Sequence, residues 1–286
     1  QLIVWDKYGK FKRVLSKKGN DPQSYLHFNH FMIWPNGDLS IASPIEIVTY
    51  SNSHQFINKK RCENVGYIEA ITLLNDSLYI IKCMPTPEQL RYRIINHHTG
   101  AIINSYDSII NCNRYISSFT NSFERYEGHI ISHGYQSNDI LECTLDSSKI
   151  RYKINVDNRI PPAGFYTQEG KEGMQLIQEE AEKGYIGHIP DYVESKETIL
   201  LSFKGKREDL NGIALIDKKD GNARVLENIK FDDNFRWLPK QFFSLDEGWC
   251  AMLMYPEDVL KKEEFARRFP GLDEESNPVL FIGKLR

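Results

Sequence analysis

Short runs in which apolar and polar residues alternate, broken by tight polar turns, recur along this chain. Alternation with a period of two turns one face of a strand to a core and the other to solvent. One unit repeats: an alternating strand, a polar turn often ending in Gly, and a second amphipathic strand. Its copies are LIVWDKYGKFKRVL (2–15), IEIVTYSNSHQFINKK (45–60), RYRIINHHTGAIINSY (91–106), DILECTLDSSKIRYKI (139–154) and GIALIDKKDGNARVLE (212–227). Thr99–Gly100 and Asp220–Gly221 supply the positive φ that a short hairpin demands.

Upstream of every copy but the first lies another strand pair: 31–43, 67–83, 117–135 and 185–203. A last pair at 240–255 precedes a terminal strand, PVLFIGKL (278–285). Each unit therefore holds four strands, A to D, with A beginning near 28, 67, 117, 186 and 237. The repeat of roughly 40–50 residues is that of a four-stranded propeller blade. One such sheet cannot bury both faces alone, whereas sheets packed face to face around an axis can. The expectation is an all-β chain, a single β-propeller domain over 1–286. It begins and ends on strand C of a blade. Six blades with the first incomplete are expected, its strands A and B lying upstream; the alternative is five blades closed by the N-terminal hairpin.

Composition agrees with an all-β chain: 15 Tyr, 15 Phe and 4 Trp among 286 residues. The net charge of −3, with both signs scattered, argues against a nucleic-acid partner. Cys62, Cys83, Cys112, Cys143 and Cys250 are widely spaced, and no CxxC or Cys/His ligand spacing occurs. They read as small buried hydrophobes in strands, not as a zinc site or disulfide framework. No apolar stretch approaches the roughly 20 residues that span a bilayer. The chain opens directly on a strand, so any targeting signal is expected upstream.

The opening WDKYGKFKRVLSKKGNDPQSYL (5–26) resembles a six-bladed propeller family common in Bacteroidetes, whose members read Asp-Lys-x-Gly-Lys-Phe, a strand, then Lys-Gly-x-Gly-Pro-x-Glu-Tyr. The ending EESNPVLFIGKLR (274–286) is similar to that family's C-terminus. Asp21 and Gln23 depart from its Gly-Pro-Glu loop. The resemblance implies a propeller of the cell envelope, at the periplasm or outer-membrane surface. A lipid anchor upstream of this chain would be its sole attachment to a membrane. It implies no enzymatic activity that attaches to particular residues.

Strand direction sorts the connections. A–B and C–D turns fall at one end of the blades and are short; B–C loops and D-to-A crossovers fall at the other and are long. Two of the long set, about 158–184 and 256–277, carry helical insertions. In 172–183, Met174, Ile177 and Ala181 form one stripe; over 257–269, Val259, Leu260, Ala266 and Phe269 form a looser one. Pro256 opens the second helix and Pro270–Gly271 closes it. Function on scaffolded folds gathers on long loops.

Catalytic signatures are scarce. A calcium cage in the channel needs several converging carboxylates, and strand A regions offer Asn29, Glu69 and Asn121 with His30 and His188. A glycosidase needs two carboxylates about 5–10 Å apart. SLDEGW (244–249) is similar to the Asp-box of sialidases but falls on an A–B turn, and is read as a hairpin. No GxSxG, HExxH, P-loop or dinucleotide fingerprint occurs. The His27/His30 and His129/His133 pairs lack an evident third ligand, and His97–His98 beside a tight turn read as solvated. No catalytic residue, metal or cofactor is therefore assigned. What remains near the long connections is a ligand-binding set: Tyr25, His30, Glu69, Arg114, Tyr115, Tyr166, His188, Arg236 and Trp237. The expected function is a non-enzymatic, envelope-associated propeller that binds a glycan, peptide or partner protein. The alternatives are a polysaccharide hydrolase or lyase, using His30 or His188 with Glu69, and a purely structural scaffold.

Overall fold

The computed structural model describes residues 2–5, 11–15, 18–62, 65–84, 90–108, 123–133, 138–156, 158–162, 164–168, 170–171, 173–205, 210–230, 236–239, 242–245, 247–261 and 263–285. The chain is all-β, a β-propeller of antiparallel blades. It divides into two compact units, one of residues 1–123, 143–149 and 164–173, the other of 124–142, 150–163 and 174–286.

In the first unit a hairpin, β1 (Leu2–Trp5) and β2 (Phe11–Leu15), precedes blade one: β3 (His30–Ile33), β4 (Leu39–Ala42), β5 (Glu46–Tyr50) and β6 (Phe56–Arg61). Blade two is β7 (Ile68–Leu73), β8 (Leu78–Cys83), β9 (Leu90–Asn96) and β10 (Ile102–Ser108). β4 and β5 are buried at every position, because blade one is covered on both faces. On one face Met32, Trp34, Ala42 and Ile47 pack against Ile68, Ile71, Tyr79 and Ile81 of blade two. On the other, Leu2 and Val4 of the hairpin rest on Tyr25, Leu39, Ile41, Val48 and Tyr50. The polar residues in those buried strands satisfy one another. Trp34 Nε1 donates to Ser40 Oγ at 2.8 Å, and Ser40 shares a 2.8 Å hydrogen bond with Thr49.

Blade three, mostly in the second unit, is β11 (Phe123–Tyr126), β12 (His129–Ser132), β13 (Asp139–Cys143) and β14 (Ser148–Lys153). In blade four two short inner strands, β15 (Ile186–His188) and β16 (Tyr192–Glu194), both pair with β17 (Thr198–Gly205). β18 (Gly212–Asp217) and β19 (Ala223–Val225) complete it. Pro190 lies in the break between β15 and β16, where a residue without an N–H cannot join the ladder. A ribbon of β20 (Ile229–Lys230) and β21 (Arg236–Trp237) leads to blade five: β22 (Phe242–Ser244), β23 (Trp249–Met254) and β24 (Val279–Lys284).

Five blades are thus present, the alternative count, in place of the expected six. β1–β2 forms a two-stranded sheet of its own, seated as a cover on blade one, rather than half of a further four-stranded sheet. The strand expected near 237 belongs to the β20–β21 ribbon, and blade five starts at Phe242. Residues 109–122, on which the expected start at 117 falls, lie outside the described residues. Cys83, Cys143 and Cys250 are free and buried in strands, and Cys62 is free and half-buried; Cys112 lies outside the described residues.

The first helical insertion forms as α1 (Gly173–Lys183), but its stripe is rotated. Leu176 and Glu180 are its buried residues, while Met174 is 73% exposed. The helix expected over 257–269 is two, α2 (Pro256–Leu260) and α3 (Glu263–Arg268). Val259 enters the core of blades four and five with Phe242 and Met252, and Phe269 meets Phe281 edge-on at 6.0 Å. SLDEGW is a hairpin turn as read: Leu245 N–H donates to Trp249 C=O at 2.8 Å, with Gly248 at φ +77°.

Candidate functional site

The ligand-binding set has members in both compact units. In the first unit Tyr25 is a core side chain, 2% exposed, and Tyr166 is buried in a short 3-10 turn, Phe165–Thr167, edge-on to Phe165 at 5.0 Å. His30, at the start of β3, is half-buried. Burial pushes its pKa down to about 4 against weaker backbone interactions with Phe31 and Ile71, so the ring is neutral at physiological pH. Its Nδ1 is enclosed without a hydrogen-bond partner among the described residues.

Glu69, at the bulge in β7, answers to Lys82 and Arg91. Burial raises its pKa and the two cations pull it back. Lys82 is buried, and burial lowers its pKa to about 8, Glu69 opposing and Arg91 adding to the shift. His30 and Glu69 stand on β3 and β7, which lie side by side in the first unit. In the second unit His188 is half-buried on β15, opposite Lys204. Arg236 and Trp237 stand on β21 opposite Lys230 and Ile229. Arg114 and Tyr115 lie outside the described residues.

The strongest electrostatic feature of the second unit went unread in the sequence. Glu194, on β16, is fully buried and its carboxylate accepts five hydrogen bonds. Arg151 grips it with Nε at 3.0 Å and Nη2 at 2.9 Å, Lys218 Nζ reaches Oε1 at 2.7 Å, and the Tyr152 and Tyr192 hydroxyls donate at 3.1 and 2.8 Å. Arg151 continues to Glu142 at 2.9 Å, and Glu142 to His129 at 3.0 Å. Burial opposes the charge on Glu194, yet hydrogen bonds from Arg151, Lys218 and Tyr192 prevail and hold its pKa below the ordinary value. A carboxylate so saturated is a structural hub and a poor proton acceptor.

Asp191 was missed as well. Ser202 Oγ donates to its Oδ2 at 2.6 Å, and its N–H donates to Ser202 Oγ at 3.1 Å. Burial raises its pKa to about 6, the Ser202 hydrogen bond and Lys204 opposing. The available signal was the Ile-Pro-Asp interruption of an inner strand at 189–191.

Two clefts are described. One in the second unit, of about 400 Å³, is lined by Tyr126, Glu127, Ser195, Lys196, Glu197, Glu247, Lys284 and Leu285. One in the first unit, of about 390 Å³, runs from Lys60, Arg61 and Cys62 to Tyr79, Ile95 and the Thr99–Gly100 turn. Neither includes a member of the ligand-binding set. Among the described residues no three His, Cys, Asp or Glu side chains gather into a metal site, and no helix is long and apolar enough to cross a membrane.

Residues 1–284 match a family described as Domain of unknown function (DUF4934). No curated protein matches the chain. Among solved structures, a protein of Bacteroides fragilis NCTC 9343 described as exported is similar at TM-score 0.76 and 11% identity, over 99% of this chain and 84% of that one. A member of the DUF4221 family from Bacteroides vulgatus is similar at TM-score 0.54 and 10% identity, over 99% and 86%. At these identities the likeness is one of fold.

Proposed function

The chain belongs to the DUF4934 family, and on that premise we propose that it is a non-enzymatic, envelope-associated propeller that binds a glycan, peptide or partner protein through its long connections. The observation that carries this reading is the state of the second unit's ionisable centre. Glu194, Arg151 and Lys218 saturate one another, so the carboxylate at the centre of that cluster is committed to holding strands together. Recognition is left to the connections. α1, and α2 with α3, both stand in connections that strand polarity assigns to one end of the blades, and α3 displays Glu263 and Arg267 to solvent. The exported fold relative supports an envelope location.

The test is a glycan and peptide binding screen on the full protein, with Arg114→Ala and Trp237→Ala alongside. Each truncation is expected to weaken the bound hit about tenfold or more, the scale of an Arg or Trp at the centre of an interface. Release of new reducing ends from a polysaccharide, abolished by Glu69→Gln, would replace this reading with the hydrolase.

A further inference from the structure

The first-unit cleft lies between β6 of blade one and β8–β10 of blade two, with Cys62 and Val65 of the β6-to-β7 connection in its lining. Its floor is apolar, formed by Val65, Tyr79 and Ile95, each 2% exposed. Ile102 and Cys62 flank it, and Lys60 and Arg61 are the cations of its lining, which holds no acid among the described residues. Its wall is rigid. Asn96 Oδ1 accepts from the His98 and Thr99 N–H groups at 2.9 and 3.0 Å, and Gly100 supplies the φ of +73° that closes the turn. About 390 Å³ is the size of a small-molecule site.

Lys60 is the informative residue. Its neighbour Lys59 is compensated, pairing with Glu46 at 3.1 Å and donating to the Ser24 carbonyl at 2.8 Å. Lys60 is half-buried, and its ammonium donates to the His97 carbonyl but to no carboxylate among the described residues. An ammonium has three donors, and a charge withdrawn from water without a counter-ion is costly. Burial lowers the Lys60 pKa accordingly. Beside it, burial, Lys60 and His98 push the His97 pKa down and Asp38 opposes.

We propose that this cleft binds a small organic carboxylate with an apolar or aromatic body. The carboxylate completes the hydrogen bonds of Lys60 beside Arg61, and the body rests on Tyr79, Ile95 and Ile102. An anion gives Lys60 a counter-ion, and an apolar body fills a floor that a free inorganic anion would leave wet.

Calorimetry with biphenyl-4-carboxylate and its neutral isostere biphenyl-4-carboxamide tests this on the intact protein. The carboxylate is expected to bind about tenfold or more tightly than the amide, the scale of one charge-assisted hydrogen bond. Lys60→Met keeps the apolar stem and should reduce that preference to near unity. Arg61→Gln, an exposed change that leaves the core untouched, should reduce it in part. Equal affinity for the two probes in the unaltered protein, an undiminished preference in Lys60→Met, or no binding of either probe at millimolar concentration would overturn the proposal. None of these outcomes bears on the long-connection reading, whose residues lie elsewhere.

Discussion

Glu194→Ala is expected to destabilise the protein by about 3–5 kcal/mol at neutral pH, the cost of removing one partner from a buried ion cluster. The side chain is fully buried, and the substitution leaves Lys218 without its carboxylate and Arg151 with Glu142 alone, their side chains 18% and 16% exposed. It also orphans the Tyr152 and Tyr192 hydroxyls. The effect has a pH signature. A carboxylate whose folded pKa is depressed contributes stability above its unfolded pKa, about 4.3, and loses it as pH falls through the folded value. The gap between the parent and Glu194→Ala should therefore be full at pH 7 and close progressively below about pH 4. Urea denaturation across that range measures it, and a neutral-pH difference under about 1 kcal/mol would sink the hub, since that is the worth of a surface pair. A Glu194→Leu, Arg151→Met, Lys218→Met triple variant should recover part of the loss, because three charges leave together, while Glu142 gives up its Arg151 partner.

Asp191→Asn is expected to do the opposite. Asp191 has its folded pKa raised to about 6, above the ordinary 3.8. Stability linked to it is complete below the unfolded pKa and is lost as pH rises through the folded one. Asn mimics the protonated acid and keeps an acceptor for the Ser202 hydroxyl. The variant should match the parent near pH 4 and exceed it by about 2–3 kcal/mol above pH 7, since each tenfold change in proton affinity is worth about 1.4 kcal/mol. A parent and variant with parallel stability profiles from pH 4 to 8 would show that Asp191 ionises freely in the folded protein.

The contrast between these two acids shows what could be read beforehand. Both lie within four residues in the same blade, and both are polar positions in an interrupted strand. Their opposite behaviour comes from their partners. Glu194 meets a cation from β14 and another that follows β18, whereas the hydrogen bond to Asp191 comes from a single hydroxyl on β17. Those separations, 43 residues to Arg151 and 24 to Lys218, carry no local periodicity and leave no mark in the sequence. Lys60 and Lys59 make the same point: adjacent lysines on β6, one paired and one not.

By itself the sequence determined the blades. Period-two alternation, turn glycines such as Gly100 and Gly221 at positive φ, and cysteines placed as strand hydrophobes are local properties, and local sterics and burial enforce them. Tertiary structure decided the rest. It seated the N-terminal hairpin as a cover on blade one, where Leu2 and Val4 find an apolar face, and so set the count at five blades. It rotated α1 onto Leu176 and Glu180, and it divided the second insertion into two helices that insert Val259 into the core. The reason is physical: strand and turn formation depend on neighbours in sequence, whereas the partner of a buried charge is whichever strand packing brings within 3 Å.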